Sequence, residues 1–481
     1  MLDQFARQNR WWADPRAIIG DRHLVRVDES RIRWTPSLPF QFDRDAVYTL
    51  RGPRQVGKST VIKRQIQALL EAGWPARKIL YLDVELAGLR SASDLVQALR
   101  WYLDSELPSA NDVAARCAIF LDEITRVENW AGALRGLVDN GELRGTTIVA
   151  TGSHTRDLRA GGERLPGRRG GSELDWELLP LSFREYAALA DPTLSLPPLL
   201  PSLARNAVRA NRLGRAAVRP RLAALFERYL ATGGFLLALN DEATYGLVRA
   251  ETFQVYREAI VGEFTRAGMR ESYLRELINW LSRHLGREFD YRDIATETDI
   301  GSKDTARNYV DNLEACYVAL VCYRVANIDR LVPGFRGPKK VHPVDPLFWH
   351  LVHAWAAADP DPWPASLASL QDSEAAGRLV ESVVAAHLRR AFGPRVYYRR
   401  SNGQHEIDFV VAPGRAATAL LEVRYQRSIG DRDARDLAAE DGGLLLTRSW
   451  EGDLAAGAVY ALPAPELLAM LNAPSLARCW T

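Results

Sequence analysis

The chain has 481 residues, of which 47% are hydrophobic and 25% charged, a composition typical of a globular protein of about two to four domains. Its formal net charge of +2 excludes a protein that binds nucleic acid through overall charge alone. The four cysteines lack metal-ligand spacing, which argues against a disulfide framework or a zinc site and favours a reducing compartment. The N-terminus lacks the apolar core of a signal peptide, and no apolar run reaches the ~18 residues that span a bilayer. We therefore expect a cytoplasmic protein without a membrane partner.

Residues 1–46 predict a polar helical lead-in followed by a strand-like segment around His23–Trp34. The neighbouring Trp11 and Trp12 are expected to pack this lead-in onto the core that follows. An exposed partner-binding role is the alternative for the two tryptophans.

The next segment combines a strand, a glycine-containing loop and a helix. A strand at Val47–Arg51 precedes the pattern Gly52-x-x-x-x-Gly57-Lys58-Ser59, and a helix follows from Lys58. Glycines let the backbone turn its N–H groups toward a phosphate, while the lysine and the serine hydroxyl serve the β- and γ-phosphates and Mg²⁺. We predict a phosphate-binding loop for ATP with Mg²⁺, formed by Gly52, Pro53, Arg54, Gln55, Val56, Gly57, Lys58, Ser59 and Thr60.

Two further apolar strands end in polar residues. The run Cys117–Leu121 leads into Asp122, which is expected to reach Mg²⁺, and into Glu123, which is expected to activate the attacking water. A later strand ends at Thr151 and Ser153, either of which could contact the γ-phosphate or the water. Ordinary turn and capping chemistry is the alternative for these two hydroxyls.

The whole chain divides by composition into four segments. We expect an α/β domain with a parallel sheet at 1–190, an Arg-rich linker at 191–222, a helical region at 223–335 and another α/β unit at 336–481. The arginines of the linker suggest either a basic helical face for nucleic acid phosphates or a solvated helix. Helices at Ile278–Ile294 and Lys303–Tyr317, followed by an apolar strand, resemble a winged-helix unit, for which DNA and protein contacts both remain open.

These motifs together resemble the AAA-type P-loop ATPases of bacteria and archaea that carry a C-terminal domain of unknown function. Further markers of the resemblance are Leu165-Pro-Gly-Arg168, Leu179-Pro-Leu-Ser-Phe-Arg-Glu185, Tyr229-Leu-Ala-Thr-Gly-Gly234 and Glu406-Ile-Asp408. The resemblance implies an ATPase core, a winged-helix-like middle and a C-terminal α/β domain similar to restriction nucleases. It also implies a homo-oligomer in which an arginine of a neighbouring subunit completes each site, with Arg168 or Arg169 as candidates.

Three carboxylates near the C-terminus resemble the metal site of those nucleases. Glu381 lies on a predicted helix, and Asp408 and Glu422 lie on predicted strands. The lysine expected two residues after the last acid is replaced by Arg424, which does not readily lose a proton. We therefore expect a degenerate, structural or nucleic-acid-binding domain in preference to an active nuclease with a second Mg²⁺, and His405 is expected to be a surface residue.

The sequence therefore predicts a Mg²⁺-dependent ATPase that couples its nucleotide state to a conformational change, with DNA as the expected partner. An ATP-gated nuclease using Glu381, Asp408 and Glu422 is one alternative. The other is a nucleotide-dependent interaction module of the defence or toxin–antitoxin kind.

Overall fold

The computed structural model describes residues 2–105, 116–154, 174–210, 212–328, 331–401, 405–412, 419–440 and 442–479. The chain forms two compact units. Unit 1 comprises Met1–Leu179 together with Leu476–Thr481, and unit 2 comprises Pro180–Ser475. The sequence had suggested a first boundary at 190 and two more at 222 and 335.

Unit 1 is built on a sheet of six strands whose order places the loop-bearing strand in its middle. The strands are β1 (Ala46–Arg51), β2 (Ile79–Asp83), β3 (Cys117–Asp122), β4 (Thr146–Gly152), β5 (Asp175–Leu178) and a return strand (Leu476–Arg478). Their spatial order is return strand–β5–β1–β4–β3–β2, and only the return strand runs antiparallel to its neighbour. The described helices are α1 (Leu2–Gln8), α2 (Arg22–Glu29), α3 (Lys58–Glu71), α4 (Ala92–Ser105) and α5 (Trp130–Asp139). Every residue of β3 is buried, as expected for an apolar strand covered on both faces.

The lead-in of unit 1 covers the open edge of β2. The indole nitrogens of Trp11 and Trp12 both donate to the Ile79 carbonyl, at 3.1 and 2.9 Å, and the Asn9 amide bonds to both backbone groups of Tyr81. The expectation that the tryptophans pack onto the core is confirmed, and the exposed edge of the sheet is protected from pairing with another chain.

The prediction of a strand-like segment around His23–Trp34 is wrong. The structure has helix α2 there, because the Asp21 side chain accepts the His23 N–H and caps its first turn. The β-branched residues Val25 and Val27 belong to this short helix.

Unit 2 combines helices with a second sheet. Its helices are α6 (Phe183–Ala190), α7 (Arg205–Ala210), α8 (Arg212–Thr232), α9 (Leu236–Tyr245), α10 (Ala250–Arg266), α11 (Glu271–His284), α12 (Tyr291–Glu297), α13 (Lys303–Ala315), α14 (Pro346–Ala357), α15 (Pro362–Ser369), α16 (Ser373–Phe392), α17 (Arg435–Ala438) and α18 (Ala464–Met470). Its strands are β6 (Ala319–Val325), β7 (Lys339–Pro343), β8 (Val396–Ser401), β9 (His405–Val411), β10 (Ala419–Arg424), β11 (Gly443–Thr447), β12 (Gly452–Leu454) and β13 (Val459–Pro463). The strand order is β12-β13-β11-β10-β9-β8-β6-β7.

The antiparallel pair β6–β7 joins the helical part of unit 2 to its α/β part. It follows the helices that resemble a winged helix, and β6 also pairs with β8 of the large sheet. The expected fold class is confirmed: an α/β protein with a parallel P-loop sheet, a helical middle region and a C-terminal α/β region.

The Arg-rich segment belongs to unit 2 through buried ion pairs. Arg215 is fully buried, and its guanidinium contacts Glu451 at 2.6 Å and Glu466 at 2.8 Å. Arg219 contacts the same two carboxylates. The arginines at the centre of this segment are therefore neutralised by acids of unit 2.

In the part of the chain that the structure describes, no single helix is long and apolar enough to cross a membrane. Two consecutive helical segments reach that length and apolar character only when they are taken together, and they are bent by 110° relative to each other: Arg215–Thr232 and Leu236–Tyr245.

Candidate functional site

The loop between β1 and α3 depends on two glycines for different reasons. A Cβ on Gly52 would lie 2.0 Å from the Leu178 carbonyl oxygen, so only glycine allows the loop to pass this close to the end of β5. Gly57 adopts a left-handed conformation, with φ of 104°, directly before the first turn of α3. The loop thus leads its backbone into the N-terminus of a 14-residue helix, where N–H groups without helical partners favour an anion.

Lys58 is buried at the start of α3. Its ammonium donates to the carbonyls of Gly52 and Pro53, at 2.9 and 3.0 Å, and lies 3.8 Å from a carboxylate oxygen of Glu123. The side chains of Ser59 and Thr60 follow in the same turn and are half-buried. The lysine and the carboxylate therefore lie close together, and the serine directly follows the lysine at the start of the same helix.

Asp122 and Glu123 end β3 in two different environments. Asp122 is buried, and its carboxylate accepts hydrogen bonds from the Thr151 hydroxyl and from the Tyr81 hydroxyl, the latter at 2.7 Å. Glu123 is half-buried and adopts a left-handed backbone conformation with φ of 54°. A left-handed non-glycine residue is uncommon, and here it turns the chain out of the strand so that the Glu123 side chain faces Lys58.

Strand β4 lies between β1 and β3, so its carboxyl end reaches both acids. The Thr151 hydroxyl is fully buried; it donates to Asp122 and accepts the Glu123 backbone N–H at 3.0 Å. The Ser153 hydroxyl donates to a Glu123 carboxylate oxygen over 3.3 Å. Of the two hydroxyls proposed to sense the γ-phosphate, Thr151 uses its proton to hold Asp122, and Ser153 lies beside the Glu123 carboxylate.

A group of residues behind Asp122 was not found from the sequence. The Lys63 ammonium lies 3.4 Å from Asp21 and 3.4 Å from the centre of the Tyr81 ring. Burial lowers the pKa of Lys63, and burial together with the Asp122 charge raises the pKa of the Tyr81 hydroxyl well above its usual value. Tyr81 therefore stays protonated and donates to Asp122. Lys63 is one of only six lysines among 62 basic residues, a rarity that could have marked it.

These residues fit a nucleotide with Mg²⁺. The backbone N–H groups at the start of α3 and the Lys58 ammonium suit phosphate oxygens, and Ser59 and Asp122 supply the hard oxygen ligands that Mg²⁺ prefers. Asp122 retains acceptor capacity, because a carboxylate offers about four lone-pair sites and the described residues use only two of them. The proposed arginines Arg168 and Arg169 lie outside the described residues.

The three C-terminal carboxylates are not brought together as a metal site. Glu381 and Asp408 contact the ammonium of Lys340, at 2.9 and 3.5 Å, whereas Glu422 pairs with Arg424. Burial raises the pKa of Glu422 to about 8. No group of three or more His, Cys, Asp or Glu side chains in the described ranges could hold a metal ion. The second Mg²⁺ considered from the sequence does not fit these residues, since a lysine that the sequence analysis missed occupies the place between two of them.

His405 is partly exposed, and its ring contacts Asp436 at 2.6 Å. This agrees with the surface position expected for it.

The helices that resemble a winged helix carry balanced charges. Lys303 at the start of α13 lies 3.3 Å from Asp290, and Arg307 lies 3.7 Å from Asp311 on the same helix. The described surface of α13 therefore presents no excess of free basic groups toward a nucleic acid.

Comparison with known proteins agrees with this geometry in the loop-bearing region. Residues 44–187 match a family model described as an AAA domain, and residues 376–467 match a domain of unknown function, DUF4143. No curated protein sequence matches the chain.

Solved structures give only distant similarities. The ORC2 protein of Aeropyrum pernix in its ADPNP–ADP complexes is 10% identical, with a TM-score of 0.34, over 65% of this chain and 88% of that one. Its ADP form is 11% identical, with a TM-score of 0.33, over 70% and 92%. A DNA polymerase III gamma subunit-related protein of Thermotoga maritima is 12% identical, with a TM-score of 0.22, over 62% and 100%.

The loop, the two acids at the end of β3 and the family match lead to one conclusion. Residues 44–187 match an AAA domain and carry its phosphate-binding loop, and residues 376–467 match DUF4143.

Proposed function

We propose that unit 1 binds ATP with Mg²⁺ and hydrolyses it, and that the change of nucleotide state alters the conformation of the chain. The observation that carries this proposal is the convergence of Lys58 and Glu123, 3.8 Å apart, beside the buried Asp122. A positive charge for phosphates, an acid for a metal and a second acid for water are the groups that phosphoryl transfer to water requires.

The residues of the site have different roles in this reaction. The loop backbone and Lys58 bind the phosphates, and Ser59 and Asp122 would hold Mg²⁺, which supplies charge neutralisation on the phosphate oxygens when bound. Glu123 accepts a proton from the attacking water, and Ser153 orients the Glu123 carboxylate through their hydrogen bond. Thr151 holds Asp122 and Glu123 in their relative positions through its two hydrogen bonds.

The test is ATP hydrolysis by the full chain and by Glu123→Gln. We expect E123Q to bind ATP as the wild type does but to lose roughly 10²–10⁴-fold in turnover, because the general base is removed. Lys58→Ala should lose ATP binding itself. Glu128→Gln, an exposed acid a few residues further on, is the matched control and should hydrolyse normally. Equal turnover in E123Q and wild type would remove Glu123 from the mechanism.

The proposal extends to an oligomer and to DNA as partner, both suggested by the sequence. If Arg168 acts on the site of a neighbouring subunit, a mixture of E123Q and R168A chains regains hydrolysis that neither variant has alone. Duplex, single-stranded and branched DNA are added separately to the same assay. Stimulation by one form supports DNA, whereas unchanged turnover with all three favours a protein partner, in line with the balanced charges of α13.

A further inference from the structure

In unit 2, carboxylates from separate elements surround the ammonium group of Lys340. Lys340 of β7 is buried, with its side chain 3% exposed. Its Nζ lies 2.9 Å from Glu381 of α16, and 2.5 and 3.5 Å from Glu406 and Asp408 of β9. Three acids thus share one lysine, and Arg400 lies 3.8 Å from one of them, Glu406.

A buried imidazole faces the same cluster. His342 follows Lys340 by two residues on β7, so the two side chains point to the same side of the strand. Its Nδ1 contacts the Ser382 hydroxyl, while its Nε2 is buried without a hydrogen-bond partner among the described residues and lies 4.0 Å from the Glu381 carboxylate. Without the ammonium between them, the three carboxylates and this imidazole nitrogen would offer the oxygen and nitrogen donors that a divalent ion such as Mn²⁺ takes.

The ammonium lies where an ion bound by these donors would have to lie. A metal and an ammonium cannot share this position, because both need the same carboxylate oxygens and repel each other. Arg424 adds positive charge on the far side of Asp408, at 3.9 Å. These contacts explain why the carboxylates of a nuclease-like pattern do not assemble as a metal site here.

We propose that Lys340 is a built-in cation that stands in the place of a divalent metal ion in unit 2. The cluster is then a metal-free ion-pair network that holds β7, β9 and α16 together, and the unit does not cleave nucleic acid by metal-dependent hydrolysis. This inference concerns unit 2 alone and is independent of ATP hydrolysis in unit 1.

The test compares Lys340→Met with Lys339→Met in the full chain without nucleotide. Lys339 is the neighbouring buried lysine on β7, but its ammonium lies over the Tyr291 ring, 3.6 Å from the ring centre, and forms no ion pair within the described residues. In EDTA, we expect K340M to melt roughly 5–10 °C below wild type, because buried carboxylates lose their cation. MnCl₂ should restore most of this loss in K340M and should not stabilise K339M or wild type.

Direct Mn²⁺ binding, measured by electron paramagnetic resonance, gives the second readout. K340M should bind one more Mn²⁺ per chain than wild type, and the double variant K340M/D408N should lose that ion. The wild-type measurement keeps the proposal testable even if K340M does not fold. Mn²⁺ binding by wild type that Asp408→Asn abolishes, or plasmid cleavage that needs Asp408, would overturn it, as would a folded K340M that gains no Mn²⁺.

Discussion

Thr151 organises the carboxyl end of the sheet in unit 1 through one hydroxyl group. It donates its proton to the Asp122 carboxylate and accepts the backbone N–H of Glu123, so a single side chain fixes both acids. The threonine is completely buried, which keeps water from replacing either bond. The position of Glu123, the proposed general base, therefore depends on a residue of the neighbouring strand.

Thr151→Val tests this dependence while preserving the shape of the side chain. The variant leaves a buried N–H unsatisfied and removes one bond to Asp122, so we expect a loss of about 1–3 kcal/mol in the free energy of unfolding. Turnover should fall by roughly 10²-fold, because small displacements of catalytic groups cost about this much. Chemical unfolding and steady-state ATP hydrolysis measure the two effects.

Thr151→Ser, which keeps the hydroxyl, is the control and should resemble wild type. A positioning role predicts that the ratio of ATP to ADP affinity is unchanged in T151V. If that ratio falls while turnover is unaffected, Thr151 senses the γ-phosphate directly and the positioning role is wrong.

The lysines show what the sequence could and could not reveal about individual residues. Lys58 was predictable because its loop is contiguous in the sequence. Lys63 and Lys340 were not, since their carboxylate partners lie about 40 to 70 residues away in the chain and meet them only after folding. Yet five of the six lysines have buried side chains, all except Lys303. In a chain that otherwise uses arginine, a lysine marks a place where a compact ammonium is needed.

Helix α8 is held by a network of buried charges. Arg215 and Arg219, one turn apart, share Glu451 and Glu466, and Glu466 is itself completely buried. The Tyr460 hydroxyl also bonds to this network. The network thus joins α8 to β13 and α18.

Arg215→Met should destabilise unit 2 by about 3–5 kcal/mol, because it leaves buried carboxylates without their main cation. Arg212→Met is the control on the same helix: Arg212 is 57% exposed and lies 3.7 Å from Glu451, so its loss should cost less than about 1 kcal/mol. Urea unfolding of both variants compares the two costs. Equal losses would show that burial does not set the strength of these ion pairs.

The helical character of this segment followed from the spacing of its arginines, but its environment did not. The acids that neutralise Arg215 come more than 230 residues later, and no local pattern connects them. Helix α2 was missed for a related reason. The cap at Asp21 decided its structure against the strand preference of its valines.

The return strand completes the sheet of unit 1. Leu476–Arg478 pairs antiparallel with β5, the Cys479 N–H donates to the Asp175 carbonyl, and the Arg51 guanidinium contacts the Cys479 sulfur at 2.7 Å. The strand therefore covers the edge of β5, whose last residue lies against Gly52 of the phosphate-binding loop.

Deletion of residues 476–481 should lower the melting temperature of the chain and weaken ATP binding, because β5 and the loop beside it lose their support. Aggregation should increase as the edge of β5 becomes open to pairing. A chain that ends at Cys479 and keeps the strand is the control. Thermal melting and nucleotide titration compare the two shortened chains. An unchanged ATP affinity after deletion of residues 476–481 would show that the return strand does not support the phosphate-binding loop.

At the scale of the whole molecule, the chain passes between its two units twice. It leaves unit 1 directly after β5, at Leu179, and returns at Leu476 to pair with that same strand. The phosphate-binding loop contacts the end of β5 at Leu178. Movement of this loop would therefore act on both connections between the units, the one after Leu179 and the one before Leu476. This is the physical route by which we propose that nucleotide state reaches unit 2.

The α/β class and the match to an AAA domain could be predicted from the sequence, because each motif of the sheet lies within a short stretch. The division into two units could not. The hairpin β6–β7 pairs with a strand that begins at Val396, and the return strand is only three residues long, too short to show an alternating pattern.

The return strand also fixes the order in which the protein can mature on the ribosome. Strands β1–β5 are synthesised first, but their sheet waits for its last member while residues 180–475 are made, which takes roughly 15–60 s at about 5–20 residues per second. Until then the nascent sheet carries an open edge that chaperones or neighbouring nascent chains can bind. A chain whose synthesis stops anywhere in unit 2 lacks the return strand, so the edge of β5 stays uncovered. Such truncated chains therefore differ from the full-length protein in the nucleotide-binding sheet itself.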